Sequence, residues 1–132
     1  MFLLDTNICI YAINRRSQKV IDCFSKKEPY EIKLSSVTLA ELEYGASKSQ
    51  NRGKNRMALF GFVAPFEIIP FDDRDAEAFG LIRTSLERQG RVIGPYDMQI
   101  AAQAISRDFT LVTNNAREFD RIPGLKIENW AA

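Results

Sequence analysis

The sequence predicts an α/β domain in which helices flank a central, mostly parallel β-sheet in three layers. Short apolar runs alternate with longer stretches of helical periodicity along the whole chain. This alternation is typical of parallel sheets, because each strand is followed by a helix that crosses back over the sheet. The chain shows no internal repeat, linker or low-complexity segment. We therefore expect residues 1–132 to form a single domain.

In the first half of the chain, short apolar or alternating runs mark strands, and Ser or Thr before a periodic stretch marks a helix start. Thr6 is expected to cap the first helix, and Ser36 the third. The predicted elements are a strand at Phe2–Leu4, a helix from Thr6 to about Asn14, a helix over Ser17–Lys27, a strand at Glu31–Ser35, and helices over Val37–Ser47 and Asn51–Val63.

In the second half, glycine and proline mark the boundaries. Gly90 is expected to end a long helix, and Pro95 suits the first turn of the next one. The predicted elements are a strand at Phe66–Ile69, helices over Arg74–Gln89 and Pro95–Ser106, a strand at Phe109–Val112, a short helical turn at Arg117–Asp120 and a last strand at Lys126–Glu128.

Composition excludes several classes of protein and site. The net charge of +1 gives no global basic field for nucleic acid. No run approaches the roughly 18 apolar residues of a membrane span. Cys9 and Cys23 lack metal-site spacing, and with no secretory signal pattern we expect a reducing, cytoplasmic location. The chain has no histidine, which excludes a Ser-His-Asp triad and histidine metal ligands.

The candidate site residues fall at one edge of the predicted sheet. Asp5 ends the first strand, and Thr113 and Asn115 follow the strand near the C-terminus. Glu41 and Asp97 lie early in helices that follow other strands or turns. In parallel α/β sheets, the functional crevice lies beyond the carboxyl ends of the strands, so these side chains are expected to meet there.

Each candidate also has a purely structural interpretation. Asp5 and Asn115 are good helix caps, and Asp97 suits the first turn of a helix because of the helix dipole. Glu41 and Glu43 lie two positions apart and project to nearly opposite helix faces, so spacing alone does not choose between them. Taken together, however, several gathered carboxylates repel one another unless a cation compensates them. Oxygen ligands favour magnesium or manganese.

The motifs in this order resemble the PIN-domain ribonucleases, and more narrowly the VapC toxins of bacterial toxin–antitoxin pairs. The matching stretches span the whole chain: LLDTN, SSVTLAELEYG, GPYDMQIAA and LVTNNAREFDRIPGLKIENW. The resemblance implies a PIN-like fold. It also implies an endoribonuclease dependent on Mg²⁺ or Mn²⁺, which cleaves a structured RNA such as a tRNA or rRNA loop through a metal-activated water. A VapB-type antitoxin would neutralise it, and a homodimer or higher toxin–antitoxin oligomer is expected.

The resemblance also assigns residues to the expected site. Asp5, Glu41 and Asp97 match the family's metal-binding acids, which selects Glu41 over Glu43. Asn115 falls where many relatives carry a fourth acid, and an amide there adds no negative charge. Glu118 would partly compensate for that loss, and Thr113 would position a water or the scissile phosphate. Asp5, Glu41, Asp97 and Asn115 are therefore the expected catalytic set.

Two surfaces are candidates for contact with RNA or protein. Arg91, just before the Asp97 helix, is the favoured phosphate contact, although basic residues on helices are commonly only solvated. Other basic clusters are Arg15, Arg16 and Lys19; Lys48, Arg52, Lys54 and Arg56; and Arg88. The helix around Phe60 is apolar nearly all round, so either it is fully buried or it contacts an antitoxin or a second copy of the chain.

Two other functions remain open at this point. A receiver-like signalling module is also a small α/β domain with a magnesium site, but it needs an acid pair after the first strand, where this chain has only Asp5. A catalytically silent PIN fold would bind RNA or protein without cleavage. The set of Asp5, Glu41 and Asp97 argues against that second alternative.

Overall fold

All strands join in one sheet, and every neighbouring pair is parallel. The computed structural model describes residues 1–132, with the strand order β3-β2-β1-β4-β5. The strands are β1 (Phe2–Leu4), β2 (Ile32–Ser35), β3 (Glu67–Ile69), β4 (Thr110–Val112) and β5 (Lys126–Glu128). The predicted three-layer α/β fold is confirmed, and the sheet is wholly parallel.

Helices cover both faces of this sheet. They are α1 (Thr6–Ile13), α2 (Gln18–Ser25), α3 (Ser36–Lys48), α4 (Arg52–Val63), α5 (Asp73–Arg88), α6 (Pro95–Ser106) and α7 (Ala116–Phe119). A 3₁₀ turn at Pro29–Glu31, which was not predicted, leads into β2. No helix has the length and apolar character that a membrane span requires.

The two layers of core follow from the alternation of side chains along the strands. Leu3 and Leu111 belong to a cluster with residues of α5, α6 and α7. The next residues, Leu4 and Val112, belong to a second cluster with residues of α1, α2, α3 and α4. All four leucine and valine side chains are fully buried. The central strands therefore lie between two hydrophobic layers, as buried parallel strands require.

Two predicted helix caps were wrong by one residue. Asp5, and not Thr6, caps α1, and Ser35, and not Ser36, caps α3. Both caps have extended backbone angles, since the strand runs directly into the helix: Asp5 has φ −76° and ψ 170°. A cap needs this non-helical conformation so that its side-chain oxygen reaches the free N–H groups of the first turn. Thr6 and Ser36 are already helical and have other hydrogen-bond partners.

The predicted end of the long helix at Gly90 is confirmed. The last helical residue of α5 is Arg88, and Gly90 follows with φ +69°. This left-handed conformation is favourable only for a residue without a Cβ, and it ends helices by turning the chain away from the axis.

The expectation that α4 is apolar all round was wrong, because its apolar residues divide between two faces. Leu59 is buried, and the Phe62 ring packs against Phe66 with ring centroids 5.5 Å apart. Met57 and Phe60 lie on the outer face, with exposed fractions of 75% and 51%. Helical spacing separates these pairs, so only Met57 and Phe60 remain available for a partner.

Phe62 and Phe60 provide a matched test of these two faces. Phe62→Ala should lower the free energy of unfolding by about 2 kcal/mol, because it removes ring contacts from the core. Phe60→Ala should change it by no more than about 0.5 kcal/mol, because that ring is half exposed. Urea unfolding of both variants measures the difference, and equal losses would contradict the assigned orientation of α4.

Candidate active site

Asp5 lies at the carboxyl end of the central strand and is only 4% exposed. Its N–H donates to the carbonyl of Val112 at 2.9 Å, which extends the ladder between β1 and β4 by one residue. Its Oδ1 accepts a hydrogen bond from the Ile8 N–H, also at 2.9 Å. The structural interpretation of Asp5 as a helix cap is therefore correct, and it does not exclude a second role.

The three predicted acids line one cleft of about 930 Å³ at this edge of the sheet. Asp5 follows β1, Glu41 comes from the second turn of α3, and Asp97 comes from the first turn of α6. Asp5 and Asp97 thus lie at helix N-termini, where the helix dipole favours negative charge. The structure therefore brings Asp5, Glu41 and Asp97 together.

Glu43, the alternative to Glu41, lies outside this cleft. Its carboxylate pairs with the Arg56 guanidinium at 3.2 Å on the outer surface between α3 and α4. The structure thus places Glu41, and not Glu43, beside the other acids, as the family resemblance implied.

Thr6 holds the Glu41 side chain in place, a role that the sequence did not reveal. The Thr6 hydroxyl donates to Glu41 Oε1 at 2.7 Å. This bond joins the first turn of α1 to α3, so the residue after Asp5 orients the second acid of the cleft. The sequence shows that Thr6 is adjacent to Asp5. It does not show that Thr6 binds Glu41, which lies 35 residues away along the chain.

The pKa values of Asp5 and Asp97 are raised, because both carboxyls are partly out of water and lie near other acids. Burial is the main cause that raises the pKa of Asp5 to about 6, with further increases from the charges of Asp97 and Glu41. Hydrogen bonds from the Thr113 hydroxyl and the Ile8 N–H act in the opposite direction. Burial also raises the pKa of Asp97, and Glu41 and Glu118 raise it further.

This donor set fits a hard divalent cation. The candidate ligands that line the cleft are carboxylate, hydroxyl and amide oxygens, and Lys48 is the one basic side chain among the lining residues. No three acidic or cysteine side chains in the chain are arranged to ligate one ion directly. Magnesium commonly keeps several waters and binds through one or two carboxylates. The arrangement therefore fits Mg²⁺ or Mn²⁺ held partly through water, and direct ligation by all three acids stays a prediction.

Asn115 and Thr113 flank the acids without lining the cleft. Thr113 is fully buried, and its Oγ1 accepts a hydrogen bond from the Asn115 N–H at 2.9 Å. Asn115 occupies the cap position of α7, yet its side chain makes no capping hydrogen bond. Asn115 therefore takes the predicted cap position without a side-chain cap, and its proposed part in the site remains a prediction.

Lys48, and not Arg91, is the basic residue that the structure brings into the cleft. Arg91 is exposed outside it, with its carbonyl accepting from the Arg121 guanidinium at 3.5 Å. Arg52 and Arg56 line a separate cavity of about 480 Å³ next to Glu43. The predicted RNA contact of Arg91 therefore lies outside the cleft and stays a prediction.

Known proteins resemble the chain over nearly its full length. The family model described as PIN domain matches residues 2–125. A tRNA(fMet)-specific endonuclease VapC from Shigella flexneri is 45% identical over 130 residues, covering 98% of each chain. The chain belongs to the VapC family of PIN-domain proteins. Ribonuclease VapC2 from Rickettsia felis is 44% identical over 133 residues, again covering 98% of each chain.

Solved structures of VapC-family complexes have the same fold as this chain. The DNA-bound VapBC of Salmonella typhimurium matches with a TM-score of 0.92 and 43% identity, covering 98% of this chain and 97% of that one. VapBC2 from Rickettsia felis, bound to a DNA fragment from the promoter, matches with a TM-score of 0.90 and 43% identity, covering 98% of both chains. Membership of this family excludes the receiver-like alternative.

The raised pKa of Asp5 predicts how the metal-free protein responds to pH. Unfolding restores an ordinary carboxyl with a pKa of 3.8, whereas the folded protein holds the proton up to about pH 6. The folded state therefore binds more protons in this interval, and the free energy of unfolding should fall as pH rises through it, by roughly 3 kcal/mol. Asp5→Asn, which keeps a capping oxygen, should remove most of this fall.

Urea unfolding in the presence of chelator, between about pH 4 and pH 8, measures this effect. Asp120→Asn is the matched control, since it removes an exposed acid outside the cleft and should keep the wild-type profile. If Asp5→Asn has the same pH profile as wild type, burial of the ionised Asp5 carboxylate is not costly.

Proposed function

We propose that this chain is a divalent-metal-dependent endoribonuclease that cleaves tRNA and is held inactive by a VapB-type antitoxin. The observation that carries the proposal is the cleft that gathers Asp5, Glu41 and Asp97 at the carboxyl edge of the sheet. Full-length relatives with over 40% identity are named ribonucleases or endonucleases, which supports RNA as the substrate.

A bound Mg²⁺ or Mn²⁺ would supply a water of lowered pKa and would neutralise charge on the phosphate. Asp5 and Asp97 would hold the ion, and Glu41, fixed by Thr6, would orient its waters. The buried Thr113 hydroxyl, which lowers the pKa of Asp5, would favour the ionised carboxylate that holds the ion. Water then attacks phosphorus, the bond to O3′ breaks, and O3′ takes a proton, which leaves a 3′-hydroxyl and a 5′-phosphate.

The proposed substrate is initiator tRNA. The 45% identical relative is named for tRNA(fMet), and it covers 98% of this chain. The open cleft suits a single-stranded loop, because a loop exposes its phosphates and bases more fully than a paired helix does.

The proposed antitoxin site includes the outer face of α4. Met57 and Phe60 are exposed there, and exposed apolar side chains that lie together favour a protein partner. Solved relatives of this chain are VapBC complexes. A homodimer within a toxin–antitoxin oligomer is part of the same proposal.

Removal of a cleft acid should abolish most RNA cleavage while the fold is kept. Asp5→Asn and Asp97→Asn each remove a charge that the cation needs, so single-turnover cleavage of initiator tRNA should fall by at least about 100-fold. Glu41→Gln should also impair cleavage, whereas the control Glu43→Gln should stay within about threefold of wild type. Equal losses in the two glutamate variants would contradict the assignment of Glu41.

Removal of divalent metal ions with a chelator distinguishes a metal-dependent ribonuclease from a PIN fold that binds RNA without cleaving it. With EDTA the wild-type chain should leave initiator tRNA intact, and added Mg²⁺ or Mn²⁺ should restore cleavage. RNA that is bound but never cut, with either metal present, would establish the silent alternative. Thermal melting of each variant shows whether a lost activity reflects lost folding.

Asn115 tests whether a fourth charge strengthens the site. Asn115→Asp would add a carboxylate beside Thr113, so the Mg²⁺ concentration for half-maximal cleavage should fall about fivefold, or ~1 kcal/mol at an effective dielectric near 20. Asn115→Ala should impair cleavage less than Asp5→Asn does, because it removes orientation and not a principal ligand. A magnesium titration of single-turnover cleavage compares the three proteins. If the midpoint does not move and Asn115→Ala is fully active, Asn115 has no part in the site.

A further inference from the structure

Beyond its acids, the cleft is lined by further residues of α3 that the cleavage chemistry does not use. Tyr44, Gly45 and Lys48, here called the α3 strip, line the cleft together with Glu41. They follow Glu41 by three, four and seven positions, which places all of them on one helix face. Tyr96, from the first turn of α6, adds a second aromatic ring beside Asp97.

We propose that the α3 strip and Tyr96 form a nucleotide-binding platform for single-stranded RNA. Tyr44 stacks on the base of a nucleotide next to the scissile phosphate, and Lys48 binds a phosphate further along the same strand. This inference rests on the proposed ribonuclease function and extends it to the way in which the strand is held.

The two tyrosines are the aromatic side chains suited to stacking. Tyr44 is 66% exposed and Tyr96 is 56% exposed, although both line a cleft. Neither ring belongs to either hydrophobic cluster of the core. Aromatic rings exposed beside a phosphate-binding groove are the usual platforms for single-stranded nucleic acid, because every base has a face on which a ring stacks.

Lys48 supplies the positive charge that the acids lack. Its Nζ lies 4.8 Å from the centre of the Tyr44 ring, so the cation and the ring form one unit. At 1.5 Å of rise per residue, Lys48 lies roughly 10 Å along α3 from Glu41. A phosphate at Lys48 is therefore different from the phosphate at the acids, and the nucleotide between them passes over Tyr44.

Gly45 keeps the floor of this platform open. A Cβ at Gly45 would meet no protein atom within 4 Å, and the backbone there is helical. Neither packing nor backbone conformation requires a glycine, which is the least favourable helix residue after proline. The absence of a side chain leaves room for a ligand against this helix face.

The experiment is a binding titration that compares normal RNA with RNA lacking its bases. All proteins carry Asp97→Asn, which by the proposed function blocks cleavage and removes one negative charge. The probes are a short fluorescein-labelled single-stranded RNA and an abasic oligoribonucleotide of the same length. Tyr44→Leu should weaken binding of the normal RNA about tenfold, equal to ~1.4 kcal/mol, and should leave binding of the abasic strand unchanged.

Lys48→Gln should act on both strands alike, because both have phosphates. It should lower the slope of log affinity against log salt by about 0.7 for each. Gly45→Leu should weaken binding of both strands by filling the cleft, and it should melt no lower than the parent, since leucine favours helices. Tyr30→Leu and Lys26→Gln are the controls. They replace exposed residues near the start of β2, outside the cleft, and should leave binding unchanged.

Several outcomes would overturn the platform. One is a Tyr44→Leu effect of equal size on both strands, and another is no effect on either. A change in molar mass on Tyr44→Leu, measured by light scattering, would instead assign the strip to an interface with a second copy. If Tyr44→Leu loses antitoxin binding but keeps RNA binding, the α3 strip is instead a contact surface for the antitoxin. If the Asp97→Asn protein cleaves RNA, the proposed function is contradicted. The binding comparison, repeated with EDTA, would still show whether Tyr44 and Lys48 bind the strand.

Discussion

The rest of the structure depends on a carboxylate held almost out of water at the end of the central strand. Asp5 is 4% exposed and follows β1, which pairs with β2 on one side and β4 on the other. The fold offsets part of this cost with hydrogen bonds from Ile8 and Thr113 and with the N-terminus of α1. It does not provide a cationic side chain at Asp5, and the neighbouring acids raise its pKa further. The ionised form of this carboxylate is therefore costly in the site.

The elements around Asp5 are connected so that they position the other acids. Thr6, directly after Asp5, joins α1 to α3 through Glu41, so one short stretch of sequence positions two acids. Asp97 enters from a different helix, which begins with Pro95. Since each acid lies at or near the start of its helix, the position of the three helix starts fixes the geometry of the site. The stability lost through repulsion among the acids is a cost that functional sites commonly carry.

The sequence predicted most elements to within a few residues, and it failed where side chains compete locally. Thr6 and Ser36 are good caps by type, yet the strands end one residue earlier, so Asp5 and Ser35 take that role. Composition made α4 appear apolar all round, but Phe62 faces the core and Phe60 faces outward. Only one face of a helix packs against the sheet, and the composition of the helix does not show which face that is.

The sequence by itself determined the fold class, the family and the edge at which the site lies. Strands that alternate with helices make a parallel sheet, and a parallel sheet gathers the ends of its strands at one edge. Only the tertiary structure decided which side chains point into the cleft. It placed Lys48 there and Arg91 outside, and it turned Glu43 toward Arg56. The physical reason is that spacing fixes which residues share a helix face, whereas packing against the sheet and neighbouring helices fixes where that face points.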